Sequence, residues 1–372
     1  MSTSGHRPER HPSRLAQDGV LESLDELRAH LRATGSLADC SIQAVDLRGE
    51  TTALLAAEVR NAVFLGCILE PEIQYRLQAA GALFFPRLPD LPFDPYRAAL
   101  YRPDELYHGL AAGYDRTLDA RVYRWWRHIG RHRSLASELA MTLHDHAISD
   151  ALADLDLPSP VGVMGGHRTS RDGSDYRAAA VLGRALAGRG HTVLTGGGPG
   201  AMEAVNLGAA FAGSAADLDE AIAVLAAHPG FGEDTDGWAR ASFEVRQRWP
   251  LGGPSIGVPT WFYGHEPANA FATAVAKFVS NALREDILLR LATAGLICLP
   301  GAAGTVQEIF QALTPRYYAE REVIPPLVLV GTDHWRHTLP AWPLVDALAR
   351  GRAMAGHVFL CETVDEALAV LQ

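Results

Sequence analysis

Lysine is almost missing from this chain. Of its 33 lysine and arginine residues, one is a lysine, Lys277, read here as lying on a helix. No lysine follows a glycine loop, which argues against a P-loop kinase or ATPase. Cysteine is scarce as well: Cys40, Cys67, Cys298 and Cys361 are scattered, with no C-x-x-C pair to hold a metal or a redox couple. Cys67 and Cys298 sit in apolar runs as small hydrophobes, and the usage points to a reducing, cytoplasmic setting. No apolar run reaches membrane-spanning length. Positive charge is not in excess either: the formal net charge of −10 excludes a protein that coats nucleic acid, and a local basic pocket for a small anion stays open. The opening "MSTSGHRPERHPSR" has no apolar h-region behind it, so residues 1–18 read as a disordered tail and not as a secretory signal. No internal repeat is visible.

What is present is an alternation that starts at residue 159. "VGVM" (161–164), "HTVLT" (191–195), "SIGVP" (255–259), "GLICLP" (295–300), "PPLVLVG" (325–331) and "HVFL" (357–360) read as short apolar strands separated by helical patterns. One helix is expected over roughly Asn269 to Leu291. Apolar strands between amphipathic helices predict a doubly wound, Rossmann-like α/β domain with a parallel sheet, placed at 156–372. Residues 19–155 read as a separate mixed α/β domain, for which a regulatory role stays open, with the boundary near "LDLPSP" (154–159). Within it "NAVFLGC" and "GALFFP" suit strands. "YRPDELYHGLAAGYD" and "LASELAMTLHDHAISDALADL" suit helices, and "FFPRLPDLPFDPY" suits an irregular connection. Residues 214–253 form an insertion with an acidic loop, "GEDTDG".

Three strand-to-helix loops are unusual. They are "GGHRTS" (165–170), "GGGPGAME" (196–203) and "PGAAGTVQE" (300–308). In a doubly wound sheet such loops meet at one edge, where bare backbone and helix starts form an anion site. Gly196, Gly197, Gly198 and Gly200, then Gly301, Ala302, Ala303, Gly304 and Thr305, are the candidate phosphate-binding positions. Gly196, Gly198 and Ala201 also satisfy G-x-G-x-x-A, which keeps an NAD(P)-dependent enzyme open, although this loop follows the second strand of the unit and not the first.

"GGGPGAME" together with "PGAAGTVQE" resembles the LOG family, the "lysine decarboxylase-like" nucleotide phosphoribohydrolases. The resemblance is nearest to the long bacterial nucleotide 5′-monophosphate nucleosidases, which share the "GGH" loop and an E-P-x-N element, here Glu266 to Asn269. It implies a nucleoside 5′-monophosphate substrate, hydrolysis of the N-glycosidic bond, and no metal or other cofactor. The decarboxylase label finds no pyridoxal-lysine context. Two departures stand out. Ala302 replaces a glycine of the family motif, so either its φ is negative or the loop differs. The family's catalytic arginine falls at Glu285, one residue after Arg284, and a one-residue shift turns a helical side chain by about 100°.

The resemblance makes Glu308 the catalytic carboxylate at the ribose. Arg284 pairs with Glu308, with the phosphate, or on the surface with Glu285 or Asp286. Glu203 caps its helix or reaches the ligand. Gly165, Gly166, His167 and Arg168 on the first loop, with Glu266 and Asn269, are further candidates for ligand contact. His144 and His146 point to different sides of a helix, which does not suit a metal site. The competing reading is a non-catalytic nucleotide or cofactor carrier on the same scaffold. A homodimer or higher homo-oligomer is expected, because Phe271, Val275, Phe278, Val279 and Ala282 form an apolar stripe on the expected helix; burial under the N-terminal domain is the alternative.

Overall fold

The computed structural model describes residues 19–371 except 89, 131–132, 263–265 and 321–322, so the tail expected over 1–18 lies outside the described residues. The chain divides into two compact units, Met1–Ala98 and Ala99–Gln372.

In the first unit four parallel strands, β1 (Val20–Leu21), β2 (Ser41–Gln43), β3 (Val63–Leu65) and β4 (Leu83–Phe85), lie side by side in chain order. Helices Leu24–Thr34, Thr51–Ala56 and Pro71–Ala79 connect them. Val20 pairs with Ser41, Ser41 with Val63 and Val63 with Leu83, a step of about 21 residues. This is an internal repeat, contrary to the sequence reading. It is carried by backbone conformation, not by residue identity. Asp39, Asn61 and Gly81, each two residues before a strand, are left-handed with φ of 60°, 59° and 100°. Asp, Asn and Gly tolerate that region best, so three different residues perform one turn. Asn61 Nδ2 donates to Asp39 Oδ1 at 3.0 Å, tying one repeat to the next. Leu27, Leu37, Ile42, Leu54, Phe64 and Leu77 form the core of this unit.

The second unit contains β5 (Val161–Met164), β6 (Val193–Thr195), β7 (Ser255–Gly257), β8 (Ala274–Val275), β9 (Gly295–Cys298), β10 (Leu327–Val330) and β11 (Val358–Cys361). All are parallel, in the order β11-β10-β9-β5-β6-β7-β8. The expected doubly wound α/β sheet is therefore present. Its order reverses between β5 and β9, where such sheets open a crevice at the carboxyl ends of the strands. Helix Ala201–Ala210 is buried at every position. It passes so close to helix Ser174–Gly188 that a Cβ on Gly183 or Gly208 would overlap the other helix's backbone. Cys298 is buried in β9, whereas Cys67 is only partly buried. No described helix is long and apolar enough to cross a membrane.

Several boundaries differ from expectation. The units meet between Ala98 and Ala99, not near residue 155. Helices Leu118–Ile129 and Leu135–Ala153 belong to the second unit because each gives it a buried carboxylate. Asp119 accepts from Trp261 Nε1 at 2.8 Å and pairs with Lys277 Nζ at 2.6 Å. Asp145 accepts from the amides of Val279 and Ser280 at 2.8 and 2.7 Å. Burial works against the charge on Asp119, but Lys277 and hydrogen bonds from Tyr114 and Trp261 outweigh it, and the carboxyl is held below its usual range.

The helix expected from Asn269 begins only at Asn281 and runs to Leu291. Upstream, the amides bond sideways: Thr273 N to Ser255 O, Val275 N to Tyr101 O, Ala276 N to Gly257 O and Phe278 N to Pro259 O. Lys277 is therefore not on a helix. Phe271, Val275, Phe278 and Val279 are buried within the chain, so they form no helical stripe in need of a partner. The insertion at 214–253 holds two helices, Ala215–Leu225 and Thr235–Arg248. "GEDTDG" supplies the cap of the second: Asp234 Oδ1 accepts from Gly237 N at 2.8 Å. The helix expected over 101–115 reduces to Pro103–Leu106 and two 3₁₀ turns, interrupted at Gly109 and Gly113 with φ of 102° and 112°.

Candidate functional site

The three loops meet because their backbones are bonded together. Gly166 N donates to Pro300 O and Ala201 N donates to Gly166 O, both at 3.0 Å. A Cβ at Gly200, where φ is +71°, would lie 2.5 Å from Gly166 O, so only glycine lets the first and second loops touch. Around the junction is a cavity of about 370 Å³, lined by the first loop at Gly165, Gly166 and His167 and by the second at Gly196 and Gly198. Ala302 to Thr305 of the third loop, with Arg284, Glu285, Gln307 and Glu308, form much of the rest of its walls. Two helix starts face this region, those of Ala201–Ala210 and Ala303–Tyr318, and neither carries a side-chain cap. Uncapped starts leave amide donors for an anionic ligand. Ala302 has φ −122°, which resolves the question raised by its Cβ.

Arg284 is 9% and Glu308 7% exposed. Arg284 Nη1 donates to Glu308 Oε1 at 2.9 Å, and Nε donates to Val258 O at 2.9 Å. The guanidinium is thereby fixed in orientation, with Nη2 turned toward the bare α-carbon of Gly196. Burial raises Glu308 above the usual carboxyl range; Arg284 opposes the rise, and the charges of Glu285 and Glu266 add to it.

Other candidates are placed elsewhere. Glu203 is buried in a bidentate pair with Arg171, whose Nε donates to Glu203 Oε2 at 3.1 Å. Arg171 also donates to Ser242 Oγ at 2.7 Å and Trp238 O at 3.0 Å, so Glu203 neither caps its helix nor reaches this cavity. Asn269 braces the second loop: its N donates to Gly197 O at 2.9 Å and its Nδ2 to Gly198 O at 3.1 Å. Gly197 turns with φ +68° against Pro259, and Gly301 packs against Thr305; neither lines the cavity. Glu266 does, facing His167 Nδ1 at 3.3 Å. Arg168 is exposed and borders a separate cavity of about 740 Å³ with His228 and Phe231. His144 is buried and His146 exposed.

Residues 159–216 match the SLOG cluster4 family, and residues 242–371 match the family described as "Possible lysine decarboxylase". Over these residues the chain belongs to the LOG/SLOG family. No curated protein matches the sequence. Among solved structures, the molybdenum cofactor binding protein from Rippkaea orientalis is 18% identical. The match covers 59% of this chain and 97% of that one, with a TM-score of 0.35. The molybdenum cofactor carrier protein from Chlamydomonas reinhardtii is 21% identical, over 57% of this chain and 94% of that one, with a TM-score of 0.35.

In this LOG/SLOG chain the sequence reading left two partners unseen. One is Arg171, the cation that a glutamate on a fully buried helix requires; that requirement was the available signal. The other is Gln307, which borders the cavity and donates through Nε2 to Glu285 Oε2 at 2.6 Å. Its signal is its place one residue before Glu308.

Proposed function

We propose that the cavity hydrolyses the N-glycosidic bond of a nucleoside 5′-monophosphate, releasing free base and ribose 5-phosphate. The observation that carries this reading is the buried Arg284–Glu308 pair set among loops that join two uncapped helix starts. The helix starts suit the phosphate, and Glu308 suits the glycosidic bond between ribose and base, where charge develops as that bond breaks. Water adds to that carbon, and its proton balance is completed on the departing base. The shift in register that made Arg284 questionable loses force, since this arginine reaches Glu308 directly. The decarboxylase description gains no support from Lys277, which is held by Asp119 away from the cavity lining.

The test is a panel of purine and pyrimidine monophosphates incubated with the full chain, with free base measured. Base release that is lost in Glu308→Ala, with binding of monophosphate retained, supports the reading. Binding without release favours a nucleotide or cofactor carrier, and tight NAD(P) binding without monophosphate binding favours an NAD(P)-dependent enzyme; either overturns it.

A further inference from the structure

The position that the family resemblance assigns to an arginine holds Glu285, and its surroundings give it a task. Glu285 is 3% exposed and both of its oxygens are fixed by amides. Asn281 Nδ2 donates to Oε1 and Gln307 Nε2 to Oε2, each at 2.6 Å. With a donor already on each oxygen, Glu285 is the less favourable of the two carboxyls to take up a proton of its own. Arg284 Nη1 lies 3.8 Å from Glu285 Oε1 and 2.9 Å from Glu308 Oε1, so one guanidinium serves two buried carboxyls. Two carboxylates against one cation leave a surplus negative charge in a site shielded from water, and such clusters shed it by binding a proton.

The proton has one suitable place. Both carboxyls border the cavity, but Glu285 has a donor on each oxygen, whereas Glu308 receives a single donor, from Arg284. Among the described residues, the other groups near Glu308 are not cations bonded to it; Arg316, about two turns further along the same helix, donates instead to Pro325 O and Ala312 O. On the loops, Glu266 is acidic and is paired with His167; on β9, Cys298 is a buried thiol whose own ionisation burial suppresses.

We propose that Glu285 is a positioning residue that keeps Glu308 protonated in the resting site, so that Glu308 acts as a general acid toward the departing base. This rests on the hydrolase reading above. As the C1′–N bond breaks, its electron pair stays with the base, and the Glu308 proton moves to a base nitrogen or oxygen. Water then adds to C1′, and its surplus proton returns to the Glu308 carboxylate. No oxidant, metal or further reactant is needed to balance the step.

The experiment uses the full chain in two measurements. In the first, infrared difference spectra at neutral pH follow the protonated-carboxyl band. The band is expected in the parent protein, absent in Glu308→Gln, lost or weakened in Glu285→Gln, and kept in Glu285→Asp, which preserves the charge. Absence of the band in the parent, or its full survival in Glu285→Gln, overturns the proposal whether or not any substrate turns over. In the second, the pH profile of base release is compared. Glu285→Gln should move the basic limb of kcat to lower pH and cut kcat at neutral pH by about 10- to 100-fold, with KM little changed. An unmoved limb overturns the proposal. Failure of the parent protein to release base from any monophosphate is a different result: it overturns the hydrolase reading and the acid role of Glu308, while the infrared measurement still decides where the proton sits.

Discussion

A Cβ at position 196 would lie 3.1 Å from Nη2 of Arg284 and 2.7 Å from Sδ of Met202. The first glycine of the loop therefore does more than turn the chain. It leaves the space into which the guanidinium is pressed, and so ties the phosphate-type loop to the Arg284–Glu308 pair.

Gly196→Ala should accordingly act on function before stability. Met202 can swing aside at a cost of about 1–3 kcal/mol, but Arg284 cannot move without loosening its bond to Glu308. Base release should fall at least about tenfold, with chemical denaturation reporting a folded protein. Unchanged kcat would show that Arg284 tolerates displacement.

Arg284→Lys keeps the charge but lacks the planar fork that serves Val258 O and Glu308 Oε1 together. The expected loss in kcat is about 100-fold, close to that of Arg284→Ala, as measured by free base released at saturating monophosphate. A lysine variant within a few-fold of the parent would mean that charge alone suffices.

Arg171→Met removes the partner of a fully buried carboxylate, Glu203. Stranding such a charge costs about 3–5 kcal/mol. Adding Glu203→Leu should return much of that loss in urea unfolding, since the stranded charge goes with it. If the double variant is no more stable than the single one, the cost lies in the bonds to Trp238 and Ser242 instead.

The raised Glu308 carboxyl makes a prediction about stability against pH. A folded-state value above the unfolded one means that the folded state holds this proton more tightly. The contribution is complete below the ordinary carboxyl range and is lost as pH rises through the raised value. Glu308→Gln, which cannot ionise, should match the parent in acid and become the more stable of the two toward neutral pH. Denaturation curves across that interval give the sign directly.

In the first unit, Asn61 occupies a left-handed position with φ 59°. Asn61→Val should cost about 1–2 kcal/mol, and Asn61→Gly should cost less. Equal losses would mean that the bond to Asp39 Oδ1, and not the backbone, sets the preference.

Six of the seven strands of the second unit, all but β8, were legible because each is a short apolar run bounded by glycine or proline, and "VGVM" falls on β5 residue for residue. The meeting of three loops was legible from their glycines. The stretch 269–280 was not, since its alternation of alanine with Phe271, Val275 and Phe278 suits a buried helix as well as a chain that spends its amides on three different neighbours. Glu203 misled because a glutamate beside a glycine loop suggests a ligand, and its true partner lies 32 residues earlier in the chain. The first unit's repeat escaped notice because Asp39, Asn61 and Gly81 share a dihedral angle but no side chain.

The solitary lysine has a consequence for handling the molecule. Lys277 is enclosed, with Asp119 2.6 Å away and the face of Trp261 5.1 Å away. The folded chain thus offers amine-directed labels and crosslinkers no ε-amino group at its surface. Modification of Lys277 requires the second unit to open around Asp119. One chemically distinct atom thereby serves as a built-in clock for that opening, readable by mass spectrometry of amine labelling without introducing a new reactive residue.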